Sequence, residues 1–323
     1  MDAFGPVPSR RLGQSLGINN VPSKICSYGC VYCQVGRTNV MQVRRELFTE
    51  PEEVYEVVRD RVEKTRSTGG RIDYLSFVPD GEATLDVNLG REIDLLKSLR
   101  IPIAVITNSS LIDDPDVQVD LMKADLVSLK VDAVRERAWR QVDRPHGRLN
   151  LESILEGMIG FARKYHGRLL SETLLVHGAN DSQAEVTATA DFIAELKPHT
   201  AYLSIPTRPP SEDWVRPPTE AAMNRAYHIF ASRLERVECL IAAETGTFGY
   251  TGNVEVDILA TAAVHPMREE AVRELLARAN ADWSVVEKLV ESKALVELVY
   301  RGDTFYFRKL PRARREPGER ANQ

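Results

Sequence analysis

Strand-like and helix-like segments alternate six times between residues 15 and 235. Short apolar runs such as IPIAVIT are typical of buried strands, and the segments between them carry apolar residues at helical spacing. The predicted strands are 15–21, 72–78, 101–107, 125–131, 169–177 and 200–206, and the predicted helices are 50–66, 88–99, one opening at Asp114, 150–165, 183–196 and 219–235. A Thr-x-x-Glu capping box at Thr49 and Glu52 predicts the start of the first helix.

Strands separated by helices pair in parallel, so this alternation predicts an α/β fold. Six such units favour a partial (β/α)6 TIM-like barrel, and an open doubly wound sheet is the alternative. In a barrel of this kind the active site lies on the loops at the carboxyl ends of the strands. Residues at those ends are therefore the candidates for function.

The pattern changes after about residue 245. Helices are predicted at 268–279 and 283–292, and strands 295–300 and 304–308 flank an Arg-Gly-Asp turn. This order of elements predicts a small winged-helix domain. The polar, arginine-rich end of the chain is expected to be a disordered basic tail. The predicted division is a barrel domain at 1–245, a winged-helix domain at 246–310 and a tail at 311–323.

Composition limits the class of protein more than its substrate. The 323 residues, 43% of them hydrophobic, suffice for one large α/β domain with a small appendage. No run approaches the roughly 18 apolar residues that a membrane helix needs, so we expect a cytoplasmic protein with no membrane partner. The net charge of −5 neither proposes nor excludes an RNA substrate, because an acidic protein can carry a local basic groove.

Three of the four cysteines lie close together in the segment ICSYGCVYC. Cys26, Cys30 and Cys33 directly follow the first predicted strand, so three thiolates are expected to converge at its carboxyl end. Three thiolates ligate three irons of a 4Fe-4S cubane and leave the fourth iron open to an exogenous chelating ligand. The spacing therefore indicates a cluster with one reactive iron.

The same thiols have less specific interpretations. A zinc site would need a remote fourth ligand, such as His146, His166 or Cys239, but none of these lies in a second CxxC or HxxxH arm. Inert buried thiols are the other alternative, since short cysteine motifs have false positives. Cys239 itself lies in the apolar segment VECLIAA and is predicted to be a buried free thiol.

The cysteine segment also carries a family resemblance. CxxxCxxC with an aromatic residue, Tyr32, before the last cysteine resembles the signature of the radical S-adenosylmethionine (SAM) superfamily. The longer segments PSRRLGQSLGINNVPSKICSYGCVYCQVGRT, VPDGEATL, and NRAYHIF through VHPMREEAV resemble a group of iron-sulfur oxidoreductases related to wybutosine-type tRNA enzymes. The resemblance spans roughly residues 5–310.

This resemblance implies an enzyme whose cofactors are one 4Fe-4S cluster and SAM. The amino and carboxylate groups of SAM would chelate the open iron, and a reducing donor of the flavodoxin or ferredoxin type would supply the electron. Cleavage of the sulfur–carbon bond would give methionine and a 5′-deoxyadenosyl radical that abstracts hydrogen from the substrate. Relatives with auxiliary clusters need further cysteines, which this chain does not possess. Tyr32 would lie beside the adenine.

The second predicted strand ends in Asp80-Gly81-Glu82, where the family pattern has a Gly-Gly-Glu that meets the amino group of SAM. Asp80 therefore replaces the first glycine. Gly81 permits close backbone approach, and Glu82 offers an acceptor for an ammonium group. An ordinary strand-to-helix turn with Glu82 near a helix start is the alternative.

Later strands also end in polar residues that would project from the rim of the barrel that carries the cysteines. Asn108, Lys130, Asp132 and Glu172 are candidates for contacts with the ribose hydroxyls or the carboxylate of SAM. Lys130 lies in an otherwise apolar strand and needs a partner there. An internal pair of Lys130 with Asp132 or Glu172 is the alternative.

Two further segments supply candidates. Family position places Ile205, at the end of the sixth strand, near the adenine of SAM. Arg208, in the proline-rich loop that follows, is a candidate for an anionic substrate or the SAM carboxylate, and His146 is a candidate for proton transfer. A solvated surface position is the alternative for both.

The sequence leaves the substrate open. RNA modification is favoured by the resemblance and by the predicted winged helix, although acidic residues outnumber basic ones across 255–300. Radical modification of a peptide or protein is the alternative, and a non-catalytic metal-sensing or redox-sensing winged-helix regulator is a third interpretation. A basic strip from the barrel mouth to the wing would favour RNA, whereas an apolar groove would favour a peptide.

Overall fold

The computed structural model describes residues 2–241 and 248–308. The strands are β1 (Asp2–Ser9), β2 (Gly13–Asn19), β3 (Ile25–Cys26), β4 (Val40–Met41), β5 (Tyr74–Phe77), β6 (Ile103–Thr107), β7 (Leu126–Lys130), β8 (Arg168–Leu174), β9 (Thr200–Ser204), β10 (Val237–Leu240), β11 (Met267–Arg268), β12 (Leu295–Tyr300) and β13 (Asp303–Arg308). The α-helices are α1 (Pro51–Ser67), α2 (Leu89–Leu96), α3 (Pro115–Leu121), α4 (Glu136–Val142), α5 (Leu151–Lys164), α6 (Gln183–Leu196), α7 (Glu220–Ala231), α8 (Val254–Val264), α9 (Glu269–Arg278) and α10 (Ser284–Glu291). The predicted boundary at 245 and the predicted tail at 311–323 lie outside the described residues.

One curved sheet contains eight of the described strands, in the order β1-β2-β5-β6-β7-β8-β9-β10. All neighbours from β2 to β10 are parallel, and only β1 pairs antiparallel, with β2. The sheet curls into a half-barrel, which confirms the predicted α/β fold and its partial TIM-like barrel. The main hydrophobic core lies between this sheet and the helices that connect its strands.

The first helix begins differently from the prediction. Its N-cap is Glu50, which makes no side-chain capping bond, and Pro51 occupies the first helical position. Proline is favoured there because it has no N–H to leave unsatisfied and its φ angle is already helical. Thr49 therefore lies outside the helix, and the predicted capping box of Thr49 with Glu52 is wrong.

Three barrel elements were not predicted from the sequence: β1, α4 and β10. β1 contains a glycine and two prolines, which disfavour a strand, and it accommodates them through a bulge between Phe4 and Val7. α4 is only seven residues long and shows little periodicity. β10 carries Cys239, whose side chain is half-buried against the main core as a free thiol. Local sequence patterns do not predict these elements, because they are either stabilised by long-range pairing or too short to show a clear periodicity.

The C-terminal part of the described chain, residues 254–308, contains α8, α9, α10 and a small antiparallel sheet in the order β11-β13-β12. These elements share a second hydrophobic cluster with Phe4 and Val7 of β1. The first strand thus pairs with the barrel sheet and also fills the core of the C-terminal part. In the ranges that the structure describes, every helix is too short or too polar to cross a membrane.

Candidate active site

The cysteine loop follows the carboxyl end of β2 and is fixed on two sides. Cys26 lies in β3, which pairs in parallel with β4. On the other side the amide of Gly29 donates to the carbonyl of Asp143, which follows α4 (3.0 Å). The amide of Cys33 donates to the carbonyl of Cys30 (3.1 Å), so the loop turns tightly between these two cysteines. The unpredicted helix α4 therefore supports the loop.

All three cysteines open into one cavity of about 320 Å³ at the carboxyl ends of the strands. Its wall also contains most residues of the sequence prediction, namely Tyr32, Gly81, Glu82, Asn108, Lys130, Glu172 and Ile205. Asp132 does not line the cavity and lies behind its wall, 3% exposed. A cavity of this size suits a small-molecule ligand. The barrel thus brings residues from six separate stretches of sequence to one place.

These thiols fit a cluster better than a single metal ion. Across the two described stretches of chain, no three His, Cys, Asp or Glu side chains are arranged to hold one ion. In a cubane each cysteine binds a different iron, so three thiols that open into one cavity suit that group. Cys239, His146 and His166 are all outside the cavity wall. The zinc alternative therefore has no support among the described residues.

Burial opposes ionisation of two of the thiols. Burial, followed by the charge of Glu82, raises the pKa of Cys26 to about 12. Burial and then Asp143 raise the pKa of Cys30 well above its usual range, and Asp143 Oδ1 lies 3.7 Å from Cys30 Sγ. Thiolates at these positions need positive charge nearby, which iron supplies on binding. The sequence does not predict Asp143 as a site residue, because it does not predict α4, whose C-cap is Asp143.

Glu82 is enclosed by hydrogen-bond donors. Its carboxylate accepts from the amide and hydroxyl of Thr84 (3.0 and 2.7 Å), from the hydroxyl of Thr107 (2.7 Å) and from the amide of Asn108 (2.8 Å). Burial raises the pKa of Glu82, and these bonds oppose that effect. Glu82 therefore caps the short helical turn Ala83–Leu85, as in the alternative of a helix start. It also joins the ends of β5 and β6 beneath the cavity.

Asn108 and Gly81 contact the cysteine loop directly. Asn108 Nδ2 donates to the hydroxyl of Ser27 (2.9 Å) and lies 3.5 Å from Cys26 Sγ. Gly81 lies so close to the Ile25 carbonyl that a Cβ at position 81 would be 2.0 Å from its oxygen. Both residues thus hold the first part of the loop against the strand ends.

Lys130, Asp132 and Glu172 form a buried charged network. Lys130 Nζ lies 3.3 Å from Glu172 Oε1 and 3.9 Å from Asp132 Oδ1, so the internal pairing weighed from the sequence is present. Arg11, which the sequence prediction missed, forms an ion pair with the other oxygen of Glu172. Burial alone would raise the pKa of Glu172, but Arg11 and Lys130 lower it to about 2. The Tyr32 hydroxyl donates to Asp132, and Lys130 Nζ lies 4.9 Å from the centre of the Tyr32 ring.

Arg208 connects the cavity to the C-terminal part of the chain. Its guanidinium donates to Gln34 Oε1 (2.7 Å) and to His265 Nε2 (2.8 Å), so it is not a merely solvated loop residue. His146 lies elsewhere. Its amide donates to the carbonyl of Ser27 (2.9 Å), so its position supports the cysteine loop from outside the cavity.

A further carboxyl group is buried behind the cysteine loop. Glu92 of α2 is fully buried and accepts from Asn20 Nδ2 (3.2 Å), at the point where the chain leaves β2 for the loop. Burial, followed by the charge of Asp86, raises the pKa of Glu92 from 4.5 to about 9. The folded protein therefore retains a proton that the unfolded chain releases above about pH 4.5. Stability falls as the pH rises from about 4.5 to 9, because over that interval folding requires proton uptake.

We expect Glu92→Gln to remove this pH dependence. Between pH 5.5 and 8 the free energy of unfolding of the native protein should fall by roughly 2–3 kcal/mol. The variant should not show this fall, because its amide has no proton to lose. Urea denaturation at both pH values measures it. Glu53→Gln, on the exposed face of α1, is the control and should retain the native slope. An unchanged slope in Glu92→Gln would show that Glu92 does not hold the proton.

The family assignment follows from the segment that builds this site. Residues 20–192, more than half of the chain, match the model of the Radical SAM superfamily. The chain belongs to the radical SAM superfamily. It is accordingly an enzyme whose cofactors are a 4Fe-4S cluster and SAM, and the interpretation as a non-catalytic regulator is not supported.

The chain is also similar to a relative in sequence and to solved structures in fold. The chain is 46% identical over 310 residues to UPF0026 protein MJ1312 of Methanocaldococcus jannaschii, covering 95% of this chain and 96% of that one. It is similar in fold to TYW1 with a lysine-pyruvate adduct bound (TM-score 0.52, 18% identity, 68% and 74% of the two chains). It is also similar to a radical SAM methyltransferase from Sphaerobacter thermophilus (TM-score 0.53, 16% identity, 71% and 66%). The predicted resemblance to wybutosine-type enzymes is thus matched by a shared fold with TYW1.

Proposed function

We propose that this enzyme abstracts hydrogen from its substrate with a SAM-derived radical, starting from a single cluster held by Cys26, Cys30 and Cys33. The observation that carries the proposal is that the three thiols share one cavity with polar groups from the ends of successive strands. When bound, the cluster supplies the electron that cleaves SAM to methionine and a 5′-deoxyadenosyl radical.

The cavity wall supplies complementary groups for each part of SAM. The backbone at Gly81 and the carboxylate of Glu82 are proposed to face its amino group. Asn108, Lys130 and Glu172 are proposed to bind the ribose hydroxyls and carboxylate, and Tyr32 and Ile205 to flank the adenine. Asp132 lies behind the cavity wall and is proposed to orient Tyr32 by accepting a hydrogen bond from its hydroxyl.

The electron is proposed to come from a small reduced protein of the flavodoxin or ferredoxin type. Such a donor, and the free thiols of all four cysteines, suit the reducing environment of the cytoplasm. We therefore propose a cytoplasmic enzyme that uses one cluster per chain.

Anaerobic SAM cleavage tests the proposed reaction. Native protein reconstituted with iron and sulfide and reduced with dithionite should release 5′-deoxyadenosine from SAM, measured by chromatography. Cys30→Ala should fold but release none, because one iron loses its thiolate. Cys239→Ala is the matched control and should retain native activity, since Cys239 lies outside the cavity. A cluster-loaded native sample that forms no 5′-deoxyadenosine would overturn the proposal.

For the substrate we propose RNA, bound partly by the C-terminal part. Arg208 lines both the cavity and a small adjoining pocket, and His265 and Arg268 line that pocket from the C-terminal side. Two arginines, Arg208 and Arg268, thus extend from the cavity toward that part, which supports phosphate contacts. Three helices followed by a strand hairpin there support a winged-helix domain at 246–310.

A peptide substrate is favoured by a different surface. β12 is one of the two edge strands of the small sheet, and its Val296, Leu298 and Val299 are exposed. An extended peptide can add to such an edge as a further strand. The cleavage assay separates the two, since RNA should stimulate 5′-deoxyadenosine release at low salt and less at high salt. Stimulation by peptides alone would reverse the assignment.

A further inference from the structure

Lys24 is a buried cation beside the cysteine loop. Its residue is 3% exposed, and its Nζ donates to the carbonyl of Gly36 (2.7 Å) and lies 3.4 Å from Cys33 Sγ. Its side chain therefore reaches from the residue two positions before Cys26 to the far end of the loop. The contact spans both ends of the segment that carries the three thiols.

The backbone holds Lys24 in an unfavourable conformation. Its φ angle is +62°, in the left-handed region that costs a non-glycine residue about 1–2 kcal/mol. The Lys24 carbonyl accepts from the amides of Asn39 (3.0 Å) and Val40 (3.2 Å), so β4 fixes this geometry. The side chain is thus directed inward by a framework that extends across the whole loop.

The charge of Lys24 needs compensation inside the protein. In the described part of the chain no carboxylate lies within ion-pair distance of its Nζ, and the Gly36 carbonyl offers only a dipole. A buried ammonium without a counter-charge is costly. The acidic group that Lys24 does contact is the Cys33 thiol, which becomes an anion when it binds iron.

We propose that Lys24 is the counter-ion of Cys33 and raises the reduction potential of the cluster. The inference rests on the proposed function, in which Cys33 is a cluster ligand. A positive charge and a hydrogen bond at a ligating sulfur stabilise the reduced cluster more than the oxidised one, because the reduced cluster is more negative. Lys24 is thus a positioning and tuning residue that makes reduction by the electron donor easier.

A redox titration followed by electron paramagnetic resonance tests this role. Lys24→Met removes the charge and the donor while keeping an unbranched side chain that is one atom shorter. At the native midpoint potential, the ratio of reduced to oxidised cluster should fall about tenfold, which corresponds to about 59 mV for a one-electron couple. Lys24→Arg retains the charge and should restore most of the native ratio. Iron content and visible absorbance confirm that each sample is loaded.

Lys123→Met is the matched control. Lys123 Nζ also donates to a glycine carbonyl, that of Gly90 (3.2 Å), but it pairs with Asp94 away from the cluster loop. Its replacement should leave the midpoint potential unchanged.

An unchanged midpoint in loaded Lys24→Met would overturn the inference while leaving the proposed function intact. Lys24→Gln, which keeps a donor without the charge, replaces the methionine variant if that one does not load, and the same criterion applies. A native protein that takes up no cluster would instead overturn the proposed function.

Discussion

Asp257→Asn is expected to lower the free energy of unfolding by about 3–5 kcal/mol, because it leaves Arg61 buried without its counter-charge. Arg61 Nη2 lies 2.7 Å from Asp257 Oδ1, and their side chains are 9% and 0% exposed. Arg61 belongs to α1 of the barrel and Asp257 to α8 of the C-terminal part. The same guanidinium donates twice to the carbonyl of Gly5 in β1 (3.0 and 2.8 Å). One ion pair therefore joins three elements from both ends of the chain.

Chemical denaturation measures this effect, and α1 supplies its control. Arg59 lies two residues from Arg61 but is only partly buried and pairs with Glu56 at the surface. Arg59→Ala should change the free energy of unfolding far less than Asp257→Asn does, since ion pairs at the surface contribute little. Similar losses in Arg59→Ala and Asp257→Asn would show that burial of the pair does not matter. A selective loss would show that the C-terminal part docks through this pair.

The sequence predicted those features of the fold that short-range patterns of residues determine. Six strands and their helices were placed within a few residues, because apolar periodicity and turn residues are local properties. The three cysteines and their convergence also follow from spacing within one loop. β1 was missed because its prolines mask a strand that pairing with β2 and packing under α8 stabilise. β10 was missed because four residues carry too little pattern.

Contacts between distant positions were not predictable in the same way. Arg11 meets Glu172 across 161 positions of sequence, and Asp143 meets Cys30 across 113. Lys24 lies near the cysteines in sequence, but its direction depends on a left-handed backbone that no periodicity indicates. The rule that active sites lie at the carboxyl ends of barrel strands located residues of the cavity wall. The partners that orient those residues are visible only in the folded structure.

The structure also narrows the roles of the predicted residues. Lys130 and Glu172 pair with each other and still line the cavity, so structural pairing and ligand contact are compatible at those positions. Asp132 differs, because its carboxylate lies behind the wall and accepts the Tyr32 hydroxyl bond. Strand-end position alone does not distinguish a residue that touches a ligand from one that orients its neighbour.

Gly81→Ala is expected to lower the free energy of unfolding by about 3 kcal/mol and to reduce the iron bound after reconstitution. The added Cβ would lie 2.0 Å from the Ile25 carbonyl oxygen and 3.0 Å from Val21 Cγ2. A backbone carbonyl cannot move aside as a flexible side chain can, so β3 and Cys26 must shift. Denaturation and iron analysis measure the two effects. Gly160→Ala in α5 is the control, because nothing lies within 4 Å of its Cβ, and it should be about 0.5–1 kcal/mol more stable.

The same variant separates the two functions that converge on Gly81. If the glycine serves only the packing of the loop, iron content and SAM cleavage should fall together, and cleavage per bound cluster should stay at the native value. If its backbone also meets SAM, cleavage per bound cluster should fall further, and the Michaelis constant for SAM should rise. Native iron content in Gly81→Ala would contradict the packing account, because a carbonyl 2.0 Å from a methyl carbon cannot keep its place.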